Sequence, residues 1–334
     1  RLTVFAGGAT LEAIRAVCGL PDGDTVEALT GLVDKSLVEV SGTRYRMLNT
    51  IRAFCAERLA EAGETRRTRR AHAEYFLALV ARVEPRLITA EQLEFLAVLD
   101  AERDNLHAAL RRATEAGETE WGTALRLLAR LTTYWWLRGL RSQGAARAEE
   151  LLRRIGPRPP EGLEEEYTVG VLSVVSGGPR GEFDTHLDNA VAVILAGGRP
   201  PRQPFMTVLL GMAMGIPEAR TASLDDRWYG LVGADPWSRA LRRFGEGITA
   251  AYAGRIDDAQ DNLTVALTGF RVLGERWGTS VTLSELAKLA AWRGEAERAW
   301  ALCDEALRPA GEKGRGQHRR HHRRADQFST SFPH

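Results

Sequence analysis

The sequence predicts a mainly α protein: a small winged-helix-like unit followed by an α-solenoid of helical hairpins. Three observations lead there. Helical periods and one hairpin pattern alternate through the start of the chain. From Arg66 onward helical periodicity dominates. A glycine-led frame then recurs, with Gly254 and Gly294 heading copies of the same spacing.

Thr10 to Cys18 reads as a short helix. Asp24-Thr-Val-Glu27 has the form of a capping box, in which the first carboxylate takes free backbone N–H groups and Glu27 reaches back. Val26, Leu29 and Val33 then repeat at helical spacing. Ser36 to Val40 reads as a strand, Gly42-Thr43 as its turn and Tyr45 to Leu48 as the returning strand. Thr50 opens a helix whose Ile51, Phe54, Cys55 and Leu59 are expected to share a buried face, and Gly63 is placed to end it.

Arg66, Arg67, Arg69 and Arg70 open a helix carrying Tyr75, Phe76, Leu79 and Val80. Leu93, Leu96 and Leu99 mark the next, Leu106 and Leu110 another, and Leu125 to Leu140 a further one. Gly156-Pro-Arg-Pro-Pro160 is a breaker. Gly254, Ala259, Leu263 and Ala266 share their spacing with Gly294, Ala299, Cys303 and Ala306, and Gly139, Gly144, Ala148 and Leu151 follow the same frame. The glycine permits a tight turn, the first small residue lets two helices approach, and the last two positions pack inward. Trp135, Trp136, Trp292 and Trp300 are expected in the repeat core, with a ligand pocket as the alternative. Between Glu161 and Pro236 the frame is hard to follow; Gly181 with Ala190 is one candidate copy. The expected division is a winged-helix-like domain at 1–63, a helical connector and first repeat at 64–156, degraded repeats with long loops at 157–236, repeats at 237–312, and a basic disordered tail at 313–334.

Composition narrows the function classes. The 334 residues are 44% hydrophobic and 27% charged, with a net charge of +1, so nothing pulls the whole chain towards nucleic acid or membrane. Its longest apolar run, Phe205 to Ile216, is far short of the roughly 20 residues that span a bilayer. Cys18, Cys55 and Cys303 lie far apart and form no metal or redox spacing, which predicts a reducing cytoplasm. The opening on Arg1 without Met predicts a piece of a longer protein. No G-x-x-x-x-G-K-[ST] loop is present, and Gly311-Glu-Lys-Gly-Arg-Gly316 lacks its spacing. The histidines form no catalytic motif, and His318, His321 and His322 in the tail are three flexible candidates for a metal. The expectation is a non-enzyme with no cofactor of its own.

Several phrases resemble one family. Arg1-Leu-Thr-Val-Phe-Ala-Gly-Gly-Ala-Thr-Leu-Glu12, Leu32-Val-Asp-Lys-Ser-Leu-Val38 and Arg44-Tyr-Arg-Met-Leu-Asn-Thr-Ile-Arg52 look like the winged helix of actinobacterial STAND-class regulators. That class of signal-transduction ATPases includes the Streptomyces antibiotic regulatory proteins and large LuxR-type regulators. Glu102-Arg-Asp-Asn-Leu-His-Ala-Ala-Leu110, Tyr134-Trp-Trp-Leu-Arg-Gly139 and Gly274-Glu-Arg-Trp-Gly278 resemble their tetratricopeptide-like sensor region. The resemblance implies a parent with a DNA-binding domain and a nucleotide switch ahead of these two parts, so ATP or ADP is expected only in that missing upstream domain. Where the family has a Met-His-Asp-like motif, this chain has Met47, Leu48 and Asn49. Leu48 cannot donate a hydrogen bond to phosphate. The resemblance therefore carries over a structural role, with Arg44, Arg46, Asn49 and Arg52 as contacts to the missing ATPase domain.

The implied function is a regulatory fragment. Tetratricopeptide-like hairpins would bind a protein, peptide or small effector in their groove, with Arg239, Arg242 and Arg243 as partner contacts, and the winged helix would relay that occupancy. A standalone tetratricopeptide-like interaction scaffold is the alternative. DNA is expected to be touched only through a missing domain, because the helix that would enter the groove carries Asp24, Glu27 and Asp34 against Lys35.

Overall fold

The computed structural model describes residues 1–176, 181–214 and 231–311. The described residues are mainly helical, with one three-stranded sheet near the start. None of their helices is long and apolar enough to cross a membrane. They divide into two compact units. The first comprises residues 1–85, 94–135 and 141–196; the second comprises 86–93, 136–140 and the described residues from 197 onward.

The first unit begins with a 3-10 turn, Leu2–Val4, and a two-residue strand, β1 (Ala9–Thr10). Thr10 then caps α1 (Leu11–Cys18), its hydroxyl accepting from Ala13 N at 3.2 Å, and Gly19 ends that helix in the left-handed region. Helix α2 (Asp22–Asp34) starts after Pro21 with no side-chain cap. Asp24 therefore lies inside the helix, which overturns the capping box. Thr25 and Leu29, one turn apart, are the buried residues of its inner face, whereas Val26 is 44% exposed. Strands β2 (Val38–Ser41) and β3 (Arg44–Met47) form the hairpin around Gly42, with Val40 opposite Tyr45. Both strands run close to the expected positions. The sequence did not announce β1, which pairs with β3 and completes the order β1-β3-β2.

Helix α3 (Asn49–Glu61) ends as expected at Gly63, φ +68°. Its buried face is narrower than the periodicity suggests. Leu59 is buried, Ile51 and Cys55 are half-buried, and Phe54 is 60% exposed beneath the Arg58 guanidinium. Helices α4 (Thr65–Val83), α5 (Gln92–Ala101), α6 (Arg103–Glu115), α7 (Glu118–Leu137), α8 (Arg141–Ile155), α9 (Glu164–Val175) and α10 (Asp184–Gly197) follow. The Gly156–Pro160 breaker lies between α8 and α9 within this unit. Gly144 of α8 packs so tightly on Trp135 that a Cβ there would sit 2.6 Å from the ring.

In the second unit lie α11 (Met206–Met214), α12 (Pro236–Tyr252), α13 (Ile256–Leu273), α14 (Arg276–Trp292) and α15 (Ala296–Gly311). Asp235 and Glu275 cap α12 and α14. The recurring glycines sit where the frame places them: Gly139, Gly254 and Gly294 all take positive φ between helices. Ala259, Leu263 and Ala266 are completely buried, and Gly247 lets α12 and α13 close until a Cβ would meet Leu263 at 2.7 Å. The last copy departs from the core assignment. Ala306 is buried, but Cys303 is exposed, and Trp292 and Trp300 are 63% and 76% exposed rather than core. Trp292 is the last residue of α14, and Trp300 and Cys303 belong to α15, the last described helix. A repeat frame specifies the turn, but burial requires a neighbour on both sides. The segment carrying the histidine and arginine tail lies outside the described residues.

Candidate functional site: the winged-helix joint

Helix α6 turns one face towards the first residues of the chain. Glu102, Asn105, Ala109 and Arg112 follow one another at helical spacing, and three of them are polar. Asn105 is completely buried and uses both ends of its amide. Its oxygen accepts from Ala6 N at 2.9 Å and Gly7 N at 3.3 Å; its nitrogen donates to Gly8 O at 2.9 Å and to Glu102 Oε2 at 2.7 Å. One side chain thereby bonds four groups, two of them backbone N–H groups at the Ala6–Gly7 turn.

Arg44, reaching from β3, closes the network. Its guanidinium grips both oxygens of Glu102, at 2.5 and 3.0 Å, and donates to Gly8 O at 3.0 Å. The Glu102 side chain is only 10% exposed, so this planar two-point contact neutralises a carboxylate that has little water. Gly8 has φ +75°, and a Cβ there would lie 2.8 Å from Tyr45 O, so the turn admits only glycine. Further along α6, Arg112 donates to Val4 O at 2.6 Å, and burial together with neighbouring arginines lowers its pKa to about 10. At the other flank Arg1 pairs with Glu64 and donates to Cys18 O.

Beneath this polar layer, Phe5 meets His72 and Phe76 edge-on, with ring centroids 5.2 and 6.4 Å apart. His72 is completely buried and neither ring nitrogen makes a well-formed hydrogen bond. Burial pushes its pKa down to about 3, with Arg112 adding to the effect; proximity to Asn105 opposes it only weakly. The imidazole is thus a neutral core ring at physiological pH. Elsewhere in this unit, just past the end of α4, Glu84 is pushed up to about 7, mainly by burial, even though Arg130 lies 2.6 Å away.

Of the four residues expected to meet an outside domain, Arg44 and Arg52 bond within this one, Arg52 at its surface. Arg44 is committed to Glu102, and Arg52 donates to Ala6 O at 3.3 Å. Arg46 and Asn49 are exposed, Arg46 opposite Glu39 on the wing. Arg239, Arg242 and Arg243 form a separate exposed group on α12. The sequence does not mark Glu102 or Asn105 as functional, because a buried polar hub leaves no periodic signature. Among the described residues no group of three or more His, Cys, Asp and Glu side chains is arranged to hold a metal ion.

Residues 1–60 match the winged helix-turn-helix domain family. They are a winged-helix domain. Its α1 and α2 form the helix-turn-helix, and β2 and β3 form the wing. A putative HTH-type transcriptional regulator of Mycobacterium bovis is 38% identical over 152 residues, covering 43% of this chain and 17% of that protein. One from Mycobacterium tuberculosis shows the same identity and coverage. An uncharacterised Mycobacterium bovis protein is 41% identical over 73 residues, 19% of this chain and 18% of its own length. The chain thus spans under a fifth of these curated relatives. No solved structure matches it.

Proposed function

We propose that this chain is the winged-helix and helical-repeat portion of a transcriptional regulator, acting as a sensing and relay piece. Its repeats take a protein, peptide or small effector, and the winged helix passes that occupancy to an ATPase switch outside this chain. The observation that carries the reading is the joint. Asn105, Glu102 and Arg44 fasten the winged helix to α6 through buried, fully engaged polar groups rather than through a loose linker. A change in the packing of α6 therefore has a stiff route into β1, β3 and the Gly7–Gly8 turn. For such a route to signal, the effector must favour one of two arrangements of these elements.

The domain's outer charge favours packing over direct reading of DNA. On α2 the exposed ionisable side chains include Asp24, Glu27, Asp34 and Lys35, an acidic face where a major-groove helix needs cations for phosphate. The helix-turn-helix match itself supports the competing reading, in which the wing and α2 touch DNA within a larger regulator. Titration of the chain with ATP and ADP by calorimetry, and with labelled duplex DNA by anisotropy, separates these possibilities. The relay reading expects neither nucleotide to bind saturably and duplexes to bind only weakly, fading with salt. Sequence-selective DNA binding that survives physiological ionic strength would reassign the winged helix as a reader; saturable ATP binding would place the switch in this chain.

A further inference from the structure

Helices α12 and α13 meet along a floor of small residues. A Cβ on Gly269 would lie 2.8 Å from the Cβ of Ala240, so the two backbones run close and leave an open groove above them. Its volume is about 530 Å³. Arg239, Arg242 and Arg243 stand on the α12 side, and Val265 and Val272 on the α13 side. Among the described lining residues none is acidic. Glu246 lies beside the groove and takes both Arg242 Nε, at 2.9 Å, and Arg243, at 3.0 Å, while Arg239 donates to Ala234 O. Arg239 and Arg243 thus line a rim that has no acidic residue among its described lining residues.

The apolar side has a defined spacing. Val265 and Val272 are seven residues apart on one helix face, about 10.5 Å along the axis. They are 55% and 83% exposed, which is unusual for paired valines on a structured helix. A small-molecule site encloses most of its ligand, and a groove whose valines stand this open does not. A helix laid into the groove suits it better. Such a helix presents apolar residues at i, i+3, i+4 and i+7, matching a two-turn stripe. The arginines along the opposite rim call for carboxylates flanking that stripe.

We infer that the α12–α13 groove is the docking surface for an acidic amphipathic helix of a protein partner. The inference rests on the reading that the repeats take a partner, and it names the chemistry of that partner. Apolar side chains of the bound helix cover Val265 and Val272, and its Asp or Glu residues meet Arg239 and Arg243.

The test uses the full chain and a fluorescein-labelled helical peptide of about 18 residues. Leu occupies the i, i+3, i+4, i+7 stripe and Glu its flanks; a second peptide carries Lys in place of every Glu. Anisotropy is expected to show binding of the acidic peptide alone, weakened at least tenfold, roughly, by the double change Arg239→Ala and Arg243→Ala and by raising salt from about 0.05 to about 0.5 M. Val272→Ser is expected to weaken it about threefold, whereas Arg298→Ala on α15 leaves it unchanged. All four side chains are largely exposed, and circular dichroism checks that each variant stays folded. Equal binding of both peptides, no binding of the acidic one, or indifference to the arginine pair would overturn the inference. Self-association abolished by the arginine pair would instead give the groove to a second copy, and displacement of the peptide by micromolar decanoate would give it to a small amphiphile. Failure here leaves the nucleotide and DNA titrations untouched, while sequence-selective DNA binding would sink the relay reading without altering peptide affinity.

Discussion

At the winged-helix joint, side chains of α6 satisfy backbone groups 97 to 108 residues away in the chain. In the hairpins α12 to α15, the ion pairs that cross between hairpins span 34 to 36 residues, and small residues at fixed positions set how closely the helices pack. The contrast is between specification by a few irreplaceable polar atoms and specification by shape repeated along the chain. A joint of the first kind fails sharply when one partner is lost. Repeated hairpins tolerate change at many positions, but each small residue at a crossing must stay small.

The sharpest way to break the comparison is Asn105→Leu. The substitution strands the N–H groups of Ala6 and Gly7 against an apolar side chain and leaves Gly8 O and Glu102 with Arg44 as their remaining donor. Each buried group left unpaired costs about 1–3 kcal/mol, and relaxation recovers part of it, so a loss of about 4 kcal/mol is expected. Urea unfolding of the intact chain would show the midpoint falling with an unchanged slope for the first unit. A loss below about 1 kcal/mol would mean that water reaches the joint and that it is no stiff connection. Arg44→Leu should cost somewhat less, about 3 kcal/mol, because Glu102 keeps its bond from Asn105. The two changes should couple in a double-mutant cycle, since both act on Glu102 and Gly8 O.

Gly247→Ala probes the other region. The added methyl would meet Leu263 Cγ at 2.7 Å and Cδ2 at 3.0 Å, with the Ala259 carbonyl at 3.2 Å behind them. Leu263 is fully buried among Leu283, Leu286 and Leu289 and cannot swing clear. Overpacking of this kind costs about 2 kcal/mol. Pairing it with Leu263→Val should give less than the sum of the single losses, because the smaller side chain makes room for the methyl. Strict additivity by thermal melting would count against a shape-limited crossing.

The same contrast explains what was legible beforehand. The wing could be read because Val38 and Val40 lead into a Gly42 turn that Tyr45 follows, and the end of α3 because Gly63 is available for positive φ. The hairpin turns could be read from Gly139, Gly254 and Gly294 for the same reason: local backbone geometry leaves a local mark. The capping box misled because Pro21 already fixes an extended entry angle and α2 begins before Asp24. Strand β1 is too short to show alternation. Asn105 was invisible as a hub, since its partners lie about a hundred residues earlier, and a lone Asn in a helical stretch carries no sign of them. Trp300 and Cys303 were misplaced because a frame tells which way a side chain points and not what covers it. The α12 arginines were legible as a group. The groove beside them was not, because it depends on how closely Gly269 approaches Ala240.

The finest distinction concerns protons inside the first unit. His72 has a folded pKa near 3 against an ordinary value of 6.5, so below pH 6.5 the unfolded chain binds a proton that the folded chain refuses. Stability from His72 is therefore complete above pH 6.5 and is lost as pH falls towards 3; between pH 7 and 5 the loss is about 2 kcal/mol. Glu84 works in the opposite sense. Its folded pKa near 7 exceeds the ordinary 4.5, so the folded chain holds the extra proton, and stability rises by about 2 kcal/mol over the same fall in pH. Burial depresses His107 and His186 as well, which adds to the His72 side. The two opposing terms predict divergent profiles rather than one acid limb. His72→Phe, which keeps a ring between Phe5 and Phe76, should gain about 2 kcal/mol relative to the unmodified chain on going from pH 7 to pH 5. Glu84→Gln should lose about the same amount, with Arg130 still supplied with an acceptor. Denaturant midpoints at the two pH values decide the matter. A His72→Phe profile parallel to that of the unmodified chain would show that water enters the Phe5–His72–Phe76 layer, and the joint would then rest on its hydrogen bonds without a dry core beneath them.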